Sequence, residues 1–321
     1  MEKRLKKITG AREFGIFLVF LAIIVIMSIA SPVFLTQVNL VNVIRQAVEI
    51  GIMSIGMGFI IINGDMDLSI GSSFAVVAML AGSLFKAEIL PPTVVFIIAL
   101  LTGALLGGIN GLLVTRAGIP SFVVTLGTMK IYRSIAYAIS GGTSISVFPE
   151  SATSSWVWGF GAKINGFPVQ IFVMLGLYIL AYIVLKKSSY GYKLYATGGN
   201  QRAAFLSGIN TKNVKLTAFV IMGVCSAIAA IISLTYLNSV TTTAGVGREM
   251  DAIAASVLGG CALSGGRGTV IGIFIGVLIM GIVKNGMVLL QVPVFWQDGF
   301  IGLVVILAVF FDTVINAREK K

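Results

Sequence analysis

The chain has 321 residues, of which 57% are hydrophobic and 11% are charged, and its net charge is +11. Soluble domains carry about 25% charged residues, so this composition excludes an ordinary soluble protein and indicates a membrane protein. The sequence contains no histidine, which excludes a histidine metal site, a histidine general base and a Ser-His-Asp triad. We therefore expect no catalytic residues, no metal and no cofactor.

Ten segments are predicted to cross the membrane, because a transmembrane helix needs about 20 mainly apolar residues. In chain order they are 14–30, 41–62, 68–85, 93–110, 119–139, 168–185, 214–237, 252–262, 269–290 and 300–314. The eighth segment is short and is either a span or a broken, re-entrant piece. The basic start and the first apolar segment also resemble a signal peptide, but the length of that segment favours a first span.

The distribution of Lys and Arg predicts the orientation of the bundle. With the N-terminus in the cytoplasm, sixteen of these residues fall in cytoplasmic segments, three fall outside (Lys86, Lys163 and Arg248), and four fall within spans. Positive residues collect in cytoplasmic loops, so both termini are predicted to be cytoplasmic. This distribution explains the net charge without a nucleic-acid partner.

The fold class that follows is all-α, a polytopic membrane helix bundle of about ten transmembrane helices in contact with membrane lipid. We expect residues 1–321 to form a single transmembrane domain. Its parts outside the membrane are a cytoplasmic N-terminus at 1–13, an outer loop at 140–167 and a cytoplasmic loop at 186–215. The outer loop contains Trp156 and Trp158, which are typical of an interfacial aromatic belt, and it either receives an external protein or lies on the surface.

Two carboxylates, Asp65 and Asp67, interrupt a long apolar region in the sequence "IINGDMDLSIGSSF". The predicted orientation places them in the inner turn between the second and third spans, where Asn63-Gly64 is a turn signal. Asp67 or Ser69 is predicted to cap the third span. The turn is either a capped hairpin or a surface for a cytoplasmic partner or an inner gate. The sequence does not favour a calcium loop, because the spaced carboxylates of such a loop do not continue past Asp67.

A second inner turn echoes the first. "GDMDLSIG" at 64–71 and "GGCALSGG" at 259–266 share the pattern G-x-x-x-L-S-x-G, and each precedes an outward helix rich in small residues. We interpret the pair as a sign of two weakly related halves, although a small-residue helix interface would also produce it. The residues of this inner-face motif are Asp67, Leu68, Ser69 and Gly71 in the first turn, and Leu263, Ser264 and Gly266 in the second.

The cytoplasmic loop contains a short helix signal. Asn200 is a good N-cap for "QRAAFLS", and Gly208 is a good C′ residue. A helix of this length is unstable alone in water, so it must pack on the membrane surface, on its own bundle or on a cytoplasmic partner. The sequence lacks G-x-x-x-x-G-K-[ST], so we expect ATP to be hydrolysed on another subunit.

Charged residues within the spans either pair or snorkel, or they line a solute path. Arg45 and Glu49 are four residues apart and are predicted to pair, whereas Lys130 and Arg133 have no acidic partner nearby in sequence. Glu249 and Asp251 open the eighth segment, where the helix dipole favours them. The two cysteines, Cys225 and Cys261, lie in apolar sequence and are predicted to be packing residues.

These motifs together resemble a known family. The chain is similar over nearly its whole length to the permease subunits of bacterial ABC importers for ribose, xylose, arabinose and galactose, and most similar to the ribose type. The resemblance rests on "NGDMDLSIGS", "PSFVVTLGTMKIYRS", "YGYKLYATGGNQRAAFLSGI", "TAGVGREMDAIAASVLGGCALSGGRGTVIG" and "NGMVLL". The family's first motif usually has a single Asp, which corresponds to Asp67 and leaves Asp65 as an addition.

The resemblance implies a multi-pass permease in the bacterial cytoplasmic (inner) membrane, working as a homodimer. It implies an ATPase subunit with two nucleotide sites inside and a periplasmic or lipid-anchored sugar-binding protein outside. It also implies a coupling helix seated on the ATPase and an inner-face motif near the gate. The residues of the coupling helix are Asn200, Gln201, Arg202, Ala203, Ala204, Phe205, Leu206, Ser207 and Gly208.

Two other classes of function are less consistent with the sequence. An ion- or proton-coupled secondary transporter would use Asp65 and Asp67 as coupling carboxylates, which should lie near the bilayer midplane. The predicted orientation places both at the inner edge instead. An intramembrane hydrolase lacks a recognisable set of nucleophile and base, or of metal ligands.

Overall fold

The computed structural model describes residues 2–293, 295–304, 306 and 310, and these are predominantly helical. The long helices are α1 (Glu2–Ala30), α2 (Gln37–Ile62), α3 (Ile70–Ala87), α4 (Pro92–Thr115), α5 (Ser121–Ser140), α7 (Val169–Lys187), α10 (Thr211–Leu237) and α12 (Val270–Leu289). Shorter helices are α6 (Glu150–Thr153), α8 (Ser189–Gly199), α9 (Gln201–Leu206) and α11 (Arg248–Leu258), and residues 295–304 are also helical. The prediction of a mainly helical membrane protein is confirmed, whereas the number of spans and their orientation stay predictions.

Seven of the described helices are long and apolar enough to cross a membrane. They are α2, α3, α4, α7, α10, α12 and the Glu13–Ala30 part of α1. Helix α5 is 20 residues long, but Lys130 and Arg133 lower its mean hydropathy, and it is not among the seven. The ten-span count therefore remains a prediction, and the last predicted span, 300–314, lies largely outside the described residues.

The eighth predicted span is the short helix α11, which begins four residues earlier than predicted. Its 11 residues rise about 17 Å, well short of the roughly 30 Å hydrocarbon core. It is followed by a non-helical connection to α12 that begins at the C-cap Gly259. The segment therefore does not span as a helix, which agrees with the alternative of a broken piece.

The long helices from α1 to α10 alternate in direction, so the bundle has two distinct ends. Helix α12 runs the same way as α10, because the short helix α11 and the connection after it return the chain between them. Asn39 near the start of α2 and Asn285 near the end of α12 exchange two side-chain hydrogen bonds of 3.0 and 2.9 Å. Helices α4 and α10 pack antiparallel, with Gly107 against the carbonyl of Phe219. The end of α2 and the starts of α3, α10 and α12 lie together with α8 and α9. We call this the α9 end, and the opposite one the cavity end.

Burial separates a central helix from lipid-facing ones. Every residue of α2 from Ile50 onward is buried, whereas only 6% of the apolar window of α1 and 28% of those of α4 and α7 are buried. Helices α1, α4 and α7 therefore lie on the outside of the bundle, where apolar side chains can contact lipid. Cys225 and Cys261 are both buried, as predicted for packing residues.

The predicted outer loop covers part of the cavity end. It contains α6, a 3-10 helix at Trp156–Gly161, and the two-residue strands β1 (Ile145–Ser146), β2 (Lys163–Ile164) and β3 (Phe167–Pro168). Strand β1 pairs antiparallel with β4 (Ser239–Val240), and β2 pairs with β3. The indole N–H groups of Trp156 and Trp158 donate to Thr93 and Asn238, so both rings fix this loop to the ends of α4 and α10.

Candidate functional site

The segment predicted to be the cytoplasmic loop, residues 186–215, forms two consecutive capped helices at the α9 end. The Ser188 hydroxyl accepts the Gly191 N–H at 3.2 Å at the start of α8, and the Asn200 side chain accepts the Ala203 N–H at 2.9 Å at the start of α9. Gly208 has φ +84° directly after α9, the left-handed conformation expected of a C′ residue. The predicted caps of the short helix are present, but sequence reasoning missed α8.

The residues of the predicted coupling helix do not all face the same way. Ala204 is 5% exposed and packs toward the bundle, whereas Phe205 is 67% exposed and Leu206 is 78% exposed. The six other residues of the set are also exposed. The outward surface of α9 is therefore apolar at Phe205 and Leu206, and Ala204 belongs to its inward side.

Three glycine-rich segments meet directly beneath α9. The N–H of Gly266 donates to the carbonyl of Ile62 at 2.7 Å, and Gly198 of α8 packs against both groups. A Cβ at Gly265 would lie 2.9 Å from the Cα of Gly64, closer than real Cβ contacts. We call these five residues the glycine junction, because the two predicted inner turns and the predicted cytoplasmic loop touch there through their backbones.

Polar side chains reinforce the same junction. Lys215, in the first turns of α10, donates to Asp65 at 2.9 Å, and Asn63 donates to the same carboxylate oxygen at 3.2 Å. The Tyr195 hydroxyl of α8 donates to the Gly268 carbonyl at 2.7 Å. Asp65, the acid that the family resemblance leaves without a role, thus connects the first inner turn to the helix that follows α9.

Asp67 lies in the connection between α2 and α3, outside both spanning segments, and is 2% exposed. Its carboxylate accepts the Ser69 N–H at 2.8 Å and the Ser69 hydroxyl at 2.7 Å, and Asn110 donates to that hydroxyl at 2.8 Å. Burial raises the pKa of Asp67, and the hydrogen bonds from Ser69 oppose that rise. Ser69 is the N-cap residue of α3 but makes no side-chain cap bond, and Asp67 accepts the N–H of Ser69 and none from α3 itself.

The two halves of the inner-face motif lie in different places in the bundle. Gly71, within α3, packs against the Gly245 carbonyl, whereas Gly266 has φ +73° and lies in the glycine junction. Leu68 is buried, but its counterpart Leu263 is half-buried and Ser264 is exposed. The echo in the sequence therefore holds for chain direction and not for local geometry.

The charged residues of the predicted spans form long-range contacts that our sequence analysis did not predict. The predicted Arg45–Glu49 pair is wrong: Glu49 accepts from Arg248 at 2.6 Å, and Arg45 lies over the ring of Tyr236 at 4.6 Å. Arg133 donates to the carbonyl of Ala244 at 2.6 Å. Lys284 forms an ion pair with Asp251.

The sequence contains a usable signal for only one of these contacts. Asp251 and Lys284 are an acid and a base placed in neighbouring apolar segments, 33 positions apart. The partners of Glu49 and Arg133 are separated from them by 199 and 111 positions, beyond the reach of helical spacing.

Comparison with known proteins defines the class of this chain. Residues 39–309 match the family described as the permease component of a branched-chain amino acid transport system. The chain belongs to this family of transport-system permease components. No solved structure matches it.

Relatives that align with more than 90% of this chain are also named as permease proteins. The chain is 36% identical to the ribose import permease protein RbsC of Haemophilus influenzae, over 98% of this chain and 99% of that protein. It is 36% identical to RbsC of Bacillus subtilis, over 94% and 92% of the two chains. It is 34% identical to the D-allose transport system permease protein AlsC of Escherichia coli, over 95% and 92%. The expectation of a transport subunit is thereby confirmed.

Proposed function

We propose that this chain is the membrane permease subunit of an ATP-driven ABC importer for a monosaccharide such as ribose or allose. Its partners are an ATPase with two nucleotide sites on the cytoplasmic side and a sugar-binding protein on the outer side. Two copies of the chain form the translocating pair in the bacterial cytoplasmic membrane. The similarity to ribose and allose permeases over more than 90% of each chain supports the choice of sugar.

The observation that carries the proposal is the arrangement of α9. Phe205 and Leu206 are exposed on a short capped helix at one end of the bundle, and exposed apolar pairs of this kind favour a protein partner. The base of the same helix is connected through α8 to the glycine junction and, through it, to both inner turns. A force applied to α9 by an ATPase is therefore passed to the ends of α2, α3 and α12.

The proposal includes an orientation, a span count and a domain organisation. The α9 end carries Lys186, Lys187, Lys193, Arg202 and Lys212, which favours the cytoplasmic side. Ten crossings, with both termini in the cytoplasm, give one transmembrane domain over residues 1–321. The nine residues 200–208 are the coupling helix of that domain, and the inner-face motif is its gate element.

The contacts of the two inner carboxylates argue against a proton-coupled transporter. A coupling carboxylate should lie near the bilayer midplane and exchange its proton with a water-filled path. Asp65 is ion-paired with Lys215 at the α9 end, and Asp67 accepts two hydrogen bonds from Ser69 while 2% exposed. Both carboxylates have structural partners, which favours an interface role.

Co-purification of the ATPase tests the proposal. Phe205→Glu places a charge where the partner must be apolar, so we expect ATPase recovery to fall roughly tenfold or more. The matched control is Ile164→Glu, which changes an apolar side chain of similar exposure at the cavity end. Equal recovery of the ATPase with both variants would overturn the assignment of α9.

A further inference from the structure

After α10 the chain returns into the bundle as a non-helical segment. Strand β4 lies at the cavity end, and residues 241–247, which we call the returning segment, lead from it to α11. The start of α11 lies about 17 Å from the end of that helix, which is near the α9 end. The returning segment lines a polar cavity of about 350 Å³ at the cavity end. Non-helical backbone at membrane depth is tolerated only inside protein or beside water, so its carbonyl groups need partners.

Two glycines bring the returning segment into contact with α3. Gly245 has φ +78°, and a Cβ on it would collide with the carbonyl of Gly71, the second residue of α3. A Cβ on Gly71 would in turn collide with the carbonyl of Gly245. The cavity is lined by Phe74 and Ala78, which come later in α3, so the contact lies on the side of the cavity that faces the α9 end.

The guanidinium of Arg133 bridges this contact. It donates to the carbonyl of Ala244 at 2.6 Å and, over a longer distance of 3.5 Å, to the carbonyl of Gly71. The carboxylate of Glu249 also lies against Gly71 and attracts the guanidinium. Arginine carries its donors in one rigid fork, so a single side chain holds carbonyl groups of two different segments. We call Gly71, Arg133, Ala244 and Gly245 the Arg133 clasp.

The residue before Arg133 connects the same helix to the first predicted inner turn. The Tyr132 hydroxyl donates to the carbonyl of Leu106 at 2.9 Å and lies 3.2 Å from the side-chain oxygen of Asn110. Asn110 in turn donates to the hydroxyl of Ser69 at 2.8 Å. Helix α5 therefore contacts the inner turn through Tyr132 and the returning segment through Arg133, so a movement of that turn would displace the clasp.

We infer that Arg133 is a positioning residue that holds the returning segment on α3, and that the Arg133 clasp is a barrier that closes the cavity toward the α9 end. The structure contains the closed form. The barrier opens when Ala244 and Gly245 separate from Gly71. The inference deepens the gate role proposed for Gly71 and rests on the proposed function in that respect.

Labelling of a single cysteine from each side of the membrane tests the barrier without any partner protein. Thr243→Cys places a thiol at an exposed position of the returning segment, directly before the clasp. With a membrane-impermeant thiol reagent, we expect fast reaction from the cavity end and slow reaction from the α9 end. Ser154→Cys and Ser189→Cys, at exposed positions of opposite ends, report which end is accessible in intact cells and which in inverted membranes.

Gly245→Ala opens the clasp by crowding it and has a matched control. Its methyl group meets the Gly71 carbonyl, whereas Gly247→Ala adds the same methyl group at φ +79° with nothing within 4 Å. Both substitutions introduce the same left-handed backbone strain. Only Gly245→Ala should therefore raise the rate of labelling from the α9 end, by about tenfold or more.

Arg133→Gln opens the clasp by removing the bridge. We expect the rate of labelling from the α9 end to rise by about tenfold or more, because hydrogen bonds to a charged group are lost. Arg133→Lys should give a smaller rise, since it keeps the charge without the planar fork. Lys130→Gln, which removes a base from the exposed side of the same helix, is the control and should leave the rate unchanged. Should Arg133→Gln fail to insert, Gly245→Ala decides the question alone.

Three results would overturn the inference. They are equal labelling of Thr243→Cys from both ends without a second substitution, no increase from the α9 end with Gly245→Ala, and an increase with Gly247→Ala as large as that with Gly245→Ala. Failure of the proposed function is separate, since it shows as a permease that does not co-purify with an ATPase while the labelling pattern is as expected.

Discussion

Gly198 makes the closest backbone contact at the α9 end, against the Ile62 carbonyl. A Cβ there would collide with the Ile62 carbonyl and the Gly266 N–H, while a Cβ on Gly199 would meet nothing closer than 4.0 Å. Gly198→Ala should therefore force α8 away from both inner turns, at a cost of about 1–3 kcal/mol for overpacking. Gly199→Ala is the matched control, with the same change one residue away.

The measurement is thermal denaturation of the purified permease together with ATP-driven uptake by the complex. We expect Gly198→Ala to lower the denaturation midpoint and to reduce uptake, and Gly199→Ala to resemble the wild type. Identical behaviour of the two variants would mean that the glycine junction does not hold α8 in place.

Asp67 allows a second test at the residue scale. Asn in its place keeps one oxygen that can accept from Ser69, so Asp67→Asn should reduce ATP-driven uptake only a few-fold. The reduction should be the same with and without an imposed proton gradient, because the account gives this carboxylate no proton to carry. An effect of the substitution that depends on the proton gradient would favour the proton-coupled alternative.

The contacts that could be predicted from the sequence are those between residues close together in the chain. The caps at Asn200 and Gly208 were predictable because they depend on residues a few positions apart. The partner of Glu49 was not, since helical spacing suggested Arg45 and the structure supplies Arg248 from another helix. The ion pair of Asp65 with Lys215 is also long-range, since 150 positions separate the two residues.

At the scale of elements, α9 depends on the left-handed turn that ends it. Gly208 has φ +84°, and its missing side chain faces open space, so backbone strain alone decides which residues are tolerated. Gly208→Val should cost about 1–3 kcal/mol, whereas Gly208→Asn should be tolerated better because Asn adopts this conformation more readily. Co-purification of the ATPase should fall with Val and be largely kept with Asn.

The inward side of α9 gives a complementary prediction. Ala204 is 5% exposed, so Ala204→Glu buries an unpaired charge against the permease itself. We expect it to destabilise the purified subunit in the absence of any ATPase, unlike Phe205→Glu. If Ala204→Glu leaves the denaturation midpoint unchanged, α9 does not pack on the bundle as described.

Helix α8 shows why some elements escape prediction. Its last residues, Gly198 and Gly199, are a turn signal in sequence, yet the helix includes both. Close packing against Ile62 and Gly266 requires glycine at position 198, and that requirement is visible only in three dimensions. Helix α11 was partly predictable, since its shortness and the acidic residues Glu249 and Asp251 at its start were evident from the sequence, whereas its end at Leu258 was not.

For the whole molecule, the proposed orientation rests on the charge distribution and is open to direct test. The two native cysteines are buried, so single cysteines at exposed positions should dominate labelling by a membrane-impermeant reagent. We expect Ser154→Cys to react from outside the cell, and Ser189→Cys to react only in inverted membranes. Reaction of the two positions from the same side would contradict the alternating topology.

The central claim is that this permease couples ATP hydrolysis to sugar import, and uptake of D-ribose by reconstituted complexes tests it most directly. Proteoliposomes would contain the permease, its ATPase and its binding protein, with ATP supplied on the side of the α9 end. The account predicts uptake that requires hydrolysable ATP, persists when a protonophore collapses the proton gradient, and is lost with Phe205→Glu. Uptake by the permease alone, driven by a proton gradient without ATP, would contradict it.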